Sequence, residues 1–355
     1  MATMHPISSK LAEWYEEHRR ELPWRNTSNP YYIWLSEVIL QQTRVDQGMA
    51  YYLRFIERFK TVEDLAAARE EDVLHLWQGL GYYSRARNLH AAAKSIVENY
   101  RGIFPAEYKA IISLKGVGDY TAAAIASIAF GLPHAAVDGN VNRVLSRIFA
   151  VPEPVDQPKG KQLITEIAAT LLDIGNPGRH NQALMELGAL ICLPRNPNCS
   201  NCPMHMFCNA LKEKKQTIFP IKSIKTKIRE RYFTYFIYLN NTGETLLQKR
   251  TEHDIWQGLF EFPMIESSTV QEHKALQMVQ PSIQTEVSRV FIHLLSHQKL
   301  HIQFVIQETD ELPMDKWPFA LKWKAFELNK IAFPRAITRF LERLNMADKL
   351  HFHPN

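Results

Sequence analysis

The chain has 355 residues, of which 46% are hydrophobic and 22% charged, and its formal net charge is +5. That length favours two domains, and that balance excludes a disordered or collagen-like chain. No apolar run reaches the roughly 18 residues that a membrane span needs, and the start at Met1–Pro6 lacks a secretion signal, so we expect a cytoplasmic protein.

Residues 1 to about 210 read as helical throughout. Ser8 and Ser9 can cap a helix carrying Leu11, Trp14 and Tyr15. Asn29 before Pro30 is a cap followed by a first-turn proline, opening a helix that runs to about Arg44. Thr61 with Asp64 starts another. Further helices are expected over 86–100, 121–130, 140–149, 160–173 and 181–191. After residue 210 the chain turns polar and basic, through Lys212, Lys214, Lys215, Lys222, Lys225 and Lys227. That stretch reads as a linker, or as a strap that touches phosphate. Residues 232–239 and 244–249 then read as strands around a turn at 240–243. Leu300, Ile302, Phe304 and Ile306 alternate with period two. Residues 286–295 can pair with that strand, leaving Ser296, His297 and Gln298 as a hairpin tip. Pro334 opens a last helix to Leu344. The predicted architecture is an all-α domain over 1–211, a basic linker over 212–229 and an α+β domain over 230–347.

All four cysteines fall in one short segment, Cys192, Cys199, Cys202 and Cys208. Such clustering argues for one metal site in a reducing compartment. Four thiolates at this spacing can hold an iron–sulfur cluster, with zinc as the alternative. Upstream, Leu114-Lys115-Gly116-Val117-Gly118 precedes an alanine-rich helix. Two glycines one residue apart allow a tight turn with positive φ, whose amides can meet an anion at a helix N-terminus. An ordinary helix–helix turn is the competing reading.

Two acids stand out. Glu37 is the only acid between Tyr31 and Leu40, in a helix that is apolar nearly all round. A buried glutamate there has a raised pKa and can hold a proton near neutrality; a solvent-facing glutamate is the alternative. Asp138, in Val137-Asp138-Gly139-Asn140-Val141, can cap the next helix, and a helix N-terminus favours its ionised form. Two carboxyls in unlike environments suit cleavage of a glycosidic bond.

The cysteine spacing resembles the 4Fe-4S loop of the endonuclease III superfamily, and the glycine turn resembles its helix-hairpin-helix motif, with Lys115 in place of a proline. The stretches Leu22–Arg25, Trp34–Thr43, Gly79–Leu89, Asp138–Val141 and Asn181–Gly188 resemble the adenine DNA glycosylase (MutY) family. This resemblance implies a helix-hairpin-helix glycosylase domain holding one 4Fe-4S cluster on Cys192, Cys199, Cys202 and Cys208. It implies that Glu37 protonates a flipped adenine and later activates water. Asp138 would stabilise the sugar cation, by its charge or by transient covalent capture, with Tyr120 and Asn140 positioning it. Trp24, Arg25, Leu40 and Gln182 would shape the adenine pocket. Gln42, Thr43 and Tyr82 would sit at the opposite base, and Lys115, Gly116 and Gly118 at the DNA backbone. Relatives that also cut the strand carry a lysine two residues after the second glycine. Here that position is Tyr120, which cannot form a Schiff base.

Residues 256–263 resemble the MutT/Nudix-like domain that ends this family. A working Nudix enzyme needs a set of glutamates on a helix to hold magnesium. The expected helix over Val270–Val279 offers only Glu272, so we expect a binding domain. The family's Phe-Ser-His tip, which recognises 8-oxoguanine, corresponds to Leu295, Ser296 and His297. The resulting expectation is a monomeric, monofunctional glycosylase. Its substrate would be adenine opposite 8-oxoguanine or guanine in double-stranded DNA, with no membrane partner and with the nucleoid as its setting. A glycosylase of another specificity and a non-catalytic mismatch binder are the alternatives.

Overall fold

The computed structural model describes residues 4–223, 228–268 and 284–346. Lys225 and Lys227 of the linker, and the helix expected over Val270–Val279 with Glu272, lie outside the described residues. No helix among the described residues is long and apolar enough to cross a membrane. The chain divides into two compact units. One is Met1–Ala67 with Asn88–Ile224, and the other is Ala68–Arg87 with Lys225–Asn355.

The first unit is helical. Helix α1 (Pro6–His18) starts earlier than the Ser8–Ser9 reading. Pro6 takes the first turn, His5 caps it by accepting from the Ile7 amide at 3.2 Å, and Ser8 is buried, donating to the Leu171 carbonyl. Helix α2 (Pro30–Leu40) has the Asn29 cap, whose side chain accepts from the Tyr31 amide at 2.9 Å. It stops four residues short of Arg44, because Gln42 adopts a positive φ of 56° and starts a turn into α3 (Val45–Arg58). Thr61 and Asp64 exchange the two hydrogen bonds of a capping box at α4 (Val62–Ala67). After α5 (Glu70–Leu76), which falls in the second unit, and α6 (Ser84–Tyr100), which falls in the first from Asn88 on, come α7 (Tyr108–Ile112) and α8 (Asp119–Phe130), whose residues 121–127 are all buried. Helices α9 (Gly139–Ile148), α10 (Pro158–Leu171) and α11 (Pro177–Leu190) complete the unit before the cysteine loop. Leu11, Trp14, Val144, Leu145, Ile164 and Leu184 form the core that joins α1, α9, α10 and α11.

In the second unit, β1 (Arg229–Asn240) runs parallel to β7 (Gln298–Thr309), with Tyr235 opposite Phe304. Strand β4 (Met264–Ser267) flanks β1, while β5 (Thr285–Val287) and β6 (Phe291–Leu294) both pair antiparallel with β7. The expected single strand over 286–295 is therefore two, because Ser288 turns its side chain onto the Phe304 amide. Strand β2 (Glu244–Lys249) does not return along β1. It joins β3 (Phe260–Glu261) and β8 (Leu321–Lys324) in a second sheet. Both faces of β7 are covered, so Val305 is as buried as Leu300, Ile302 and Phe304. The final helix, Arg335–Met346, lays Phe340 flat on Phe304 at 3.8 Å between ring centres.

Candidate active site

A cavity of about 610 Å³ opens in the first unit. Trp24, Arg25, Glu37, Leu40, Gln42, Thr43, Tyr120, Asp138, Asn140 and Gln182 all line it. These residues come from the Pro23–Arg25 turn, α2 and the turn after it, α8, the start of α9 and α11. Helix α2 presents Glu37 because its other faces are occupied by Ile33, Trp34, Leu35 and Val38, all buried. The Tyr120 hydroxyl donates to Glu37 Oε2 at 2.5 Å. Burial pushes the Glu37 carboxyl from 4.5 up to about 7, against the pull of that hydrogen bond.

Asp138 is the N-cap of α9. Its Oδ1 accepts from the Val141 amide at 2.7 Å, and its Oδ2 from Asn140 Nδ2 at 2.8 Å. Burial still lifts its pKa above the usual aspartate value, so these bonds offset only part of the desolvation. Asn140 reaches Asp138, whereas the Tyr120 hydroxyl reaches Glu37 instead. Asn140 Oδ1 in turn accepts from Arg143, which also donates to the carbonyls of Gly188 and Cys192. Gly188 allows this approach: a Cβ there would lie 2.6 Å from Asn140 Cβ.

Other residues of the cavity, Arg20, Met185 and Glu186 among them, have no role assigned from the sequence. Glu186, 1% exposed, accepts from both Arg20 and Arg25. It lies in the Asn181–Gly188 stretch, but its ion pair cannot be read there, because its partners lie more than 160 residues away. Met185 stands beside the Tyr120 hydroxyl at 3.6 Å.

Between α7 and α8, Lys115, Gly116 and Gly118 are exposed. Only Gly116 has a positive φ, 80°; Gly118 is extended and caps α8. The positive φ that the tight turn needs is thus supplied by Gly116. A Cβ at Gly116 would also lie 2.6 Å from Asn88 Cβ.

Cys192, Cys199, Cys202 and Cys208 line one cavity with Val144, Ile148 and Leu187. None is in a disulfide. Among the described residues no group of three or more metal-type side chains is set to hold a single ion. The surroundings fit an anionic thiolate cluster nevertheless. Arg147, 2% exposed, aims Nη1 at Cys192 Sγ at 3.3 Å and otherwise donates to the carbonyls of Leu193, Pro194 and Phe219. A buried guanidinium among neutral carbonyls needs a counter-charge, which ligated thiolates would supply.

Tyr82, Ser296 and His297 do not line the cavity around Glu37 and Asp138. They share a second one, of about 400 Å³, within the second unit, with Trp256, His293 and Leu295. The tip is Ser296–His297, closed by the Leu295 amide donating to the Gln298 carbonyl at 2.8 Å; Gln298 already belongs to β7. Tyr82, with a φ of 47°, meets the Ser296 hydroxyl through its own. Leu295 packs against the core of the sheet rather than outward.

Residues 35–169 match the family model of HhH-GPD superfamily base excision DNA repair proteins, and residues 234–343 match that of the NUDIX domain. The adenine DNA glycosylase of Buchnera aphidicola subsp. Acyrthosiphon pisum is 34% identical over 308 residues, 86% of this chain and 87% of that protein. That of Mus musculus is 33% identical over 92% of this chain and 75% of its own. Among solved structures, a thermostable thymine-DNA glycosylase is similar with a TM-score of 0.54 and 31% identity, covering 58% of this chain and 95% of that one.

Proposed function

The chain belongs to the adenine DNA glycosylases, which remove adenine in base excision repair, and we propose that its substrate is adenine mispaired with 8-oxoguanine or guanine in double-stranded DNA. The observation that carries the chemistry is the pairing, in one cavity, of Glu37 with Asp138 in unlike environments.

The adenine must leave the stack to reach that cavity. Burial raises the Glu37 carboxyl to about 7, so it can hold a proton near neutrality and deliver it to the departing base. Tyr120 orients the carboxyl that does so. As the bond to the base stretches, positive charge grows on the sugar, and Asp138, steadied by Asn140 and the Val141 amide, stabilises it. Glu37, now ionised, activates the water that completes hydrolysis. Trp24, Arg25, Leu40 and Gln182 bound the adenine, while Gln42, Thr43 and Tyr82 meet the opposite base. Tyr120 offers no amine, so the product is an uncut abasic strand.

Catalysis is assigned to residues 1–211, with 212–229 as the linker. Residues 230–347 read the opposite base through Ser296 and His297, and Lys115, Gly116 and Gly118 hold the DNA backbone. One 4Fe-4S cluster on Cys192, Cys199, Cys202 and Cys208 would fasten the loop after α11. The enzyme would act as a monomer in the cytoplasm, with the nucleoid. A single-turnover assay over duplexes holding each mispair tests the reading. Adenine release from 8-oxoguanine·A and G·A, with strand scission only after alkali, is expected. Thymine release from G·T, or release from neither A mispair, would overturn it. Purified protein should carry about four irons and four sulfides per chain; stoichiometric zinc would overturn the cluster.

A further inference from the structure

Helix α11 brings a third carboxylate, Glu186, to the cavity that holds Glu37 and Asp138. Glu186 is ionised at every working pH: burial is outweighed by two guanidinium groups, and its pKa falls to about 2. It cannot therefore donate the proton. Its Oε1 accepts from the Arg20 amide, Arg20 Nε and Arg25 Nη1 at 2.8–3.0 Å, and its Oε2 from Arg20 Nη2 and Arg25 Nη2, both at 2.7 Å. Both oxygens bind both arginines, so neither side chain can rotate without breaking charge-assisted bonds. Arg25, whose side chain is 10% exposed, is held further by its bond to the Arg20 carbonyl at 2.9 Å.

We propose that Glu186 is a positioning residue for adenine release: it fixes the Arg25 guanidinium against the base cavity and cancels one of the two positive charges that Arg20 and Arg25 bring there. The proposal rests on the reading of Glu37 as proton donor. The titratable and charged groups lining the cavity with Glu37 are Arg20, Arg25, Tyr120, Asp138 and Glu186, and α3 contributes only Val45. Arg25 already opposes the protonated form of Glu37. Without the Glu186 charge, Arg25 is uncompensated and that opposition grows.

The test is the pH profile of single-turnover adenine release, measured with wild type, Glu186→Gln and Glu186→Asp. Activity needs Glu37 protonated, so the alkaline limb reports on it. Glu186→Gln keeps the size but loses the charge, and should move that limb to lower pH by about half a unit or more. Glu186→Asp should leave the limb in place. An unmoved limb in Glu186→Gln, or an equal fall in rate at every pH, would overturn the proposal. Should Glu186→Gln not fold, Arg25→Lys tests the fixing role, since an ammonium cannot span both carboxylate oxygens. A drop of about tenfold or more with the limb in place supports the proposal, and a wild-type rate overturns it. Glu37→Gln is run beside these. If it still releases adenine with the same alkaline limb, the underlying reading fails; if it is silent while Glu186→Gln keeps its limb, only the present inference fails.

Discussion

At the scale of single residues, a carboxyl held protonated near neutrality is a cost to the fold. Folded Glu37 keeps its proton up to about 7, whereas the unfolded chain releases it near 4.5. The folded state thus binds more protons through that window, and stability falls as pH rises across it and stays low above. Glu37→Gln removes the effect. The variant should lose adenine release yet unfold later than wild type at pH 8, by on the order of 3 kcal/mol, with no difference near pH 4. Equal midpoints at both pH values in thermal or urea unfolding would show that the carboxyl is not desolvated. Asp138 gives the contrasting case. Asparagine caps a helix as well as aspartate does, so Asp138→Asn should keep its fold and its grip on mismatched DNA. It should lose adenine release by about 100-fold or more, because the missing charge acts in the transition state. Near-normal excision would remove Asp138 from the chemistry. The Glu37 environment could be read from sequence because its neighbours on one helix are apolar. The Glu186 clamp could not, since Arg20, Arg25 and Glu186 meet only once α11 lies beside the Pro23–Arg25 turn.

At the scale of elements, local chemistry proved readable where it is local. Asn29 before Pro30 and Thr61 with Asp64 cap their helices as their residue types require. Ser8 failed as a cap because Pro6 had already opened the helix, leaving the hydroxyl to a carbonyl on α10. Strand β2 misled in the same way: the turn at 240–243 reverses the chain, but no local signal says which sheet receives the returning strand. The glycine turn before α8 yields the element's own prediction. Gly116→Ala must put a side chain in the left-handed region and against Asn88, at more than about 1–2 kcal/mol. Gly118→Ala adds a methyl with nothing within 4 Å and ordinary dihedrals. The first variant should therefore unfold earlier. The second should keep wild-type stability, and weaken DNA binding only if Gly118 meets the DNA backbone as proposed. Equal destabilisation by both would contradict the turn geometry.

At the scale of the whole molecule, the change in composition after residue 210 announces a second compact body, but nothing in composition shows that residues 68–87 fold with it. What places them there is side-chain chemistry across long sequence separations. Gln78 donates to Thr338 at 2.9 Å, Arg87 to Gln257 and Lys249 to Glu71, and Tyr82 meets Ser296. A chain ending at residue 224 would strip every one of these partners from 68–87, while the cavity around Glu37 and Asp138 would lose none of its lining. The truncated protein should thus keep slow hydrogen exchange in α2, α8 and α11, but exchange quickly between Trp77 and Tyr83, where backbone protection depends on packing that is gone. Its adenine release from G·A should stay within about tenfold of wild type, since the reacting groups are intact. Its preference for 8-oxoguanine·A should fall by the 1–3 kcal/mol that a lost base contact costs, because Ser296 and His297 are absent and Tyr82 has lost its hydroxyl partner. The paired change Ser296→Ala with His297→Ala in the full chain separates the two contributions. If it lowers the preference as far as truncation does, the tip alone reads the base; if truncation lowers it further, Tyr82 must be held by the second unit to read its share. Unchanged preference in both would return discrimination to Gln42 and Thr43, where α2 turns into α3.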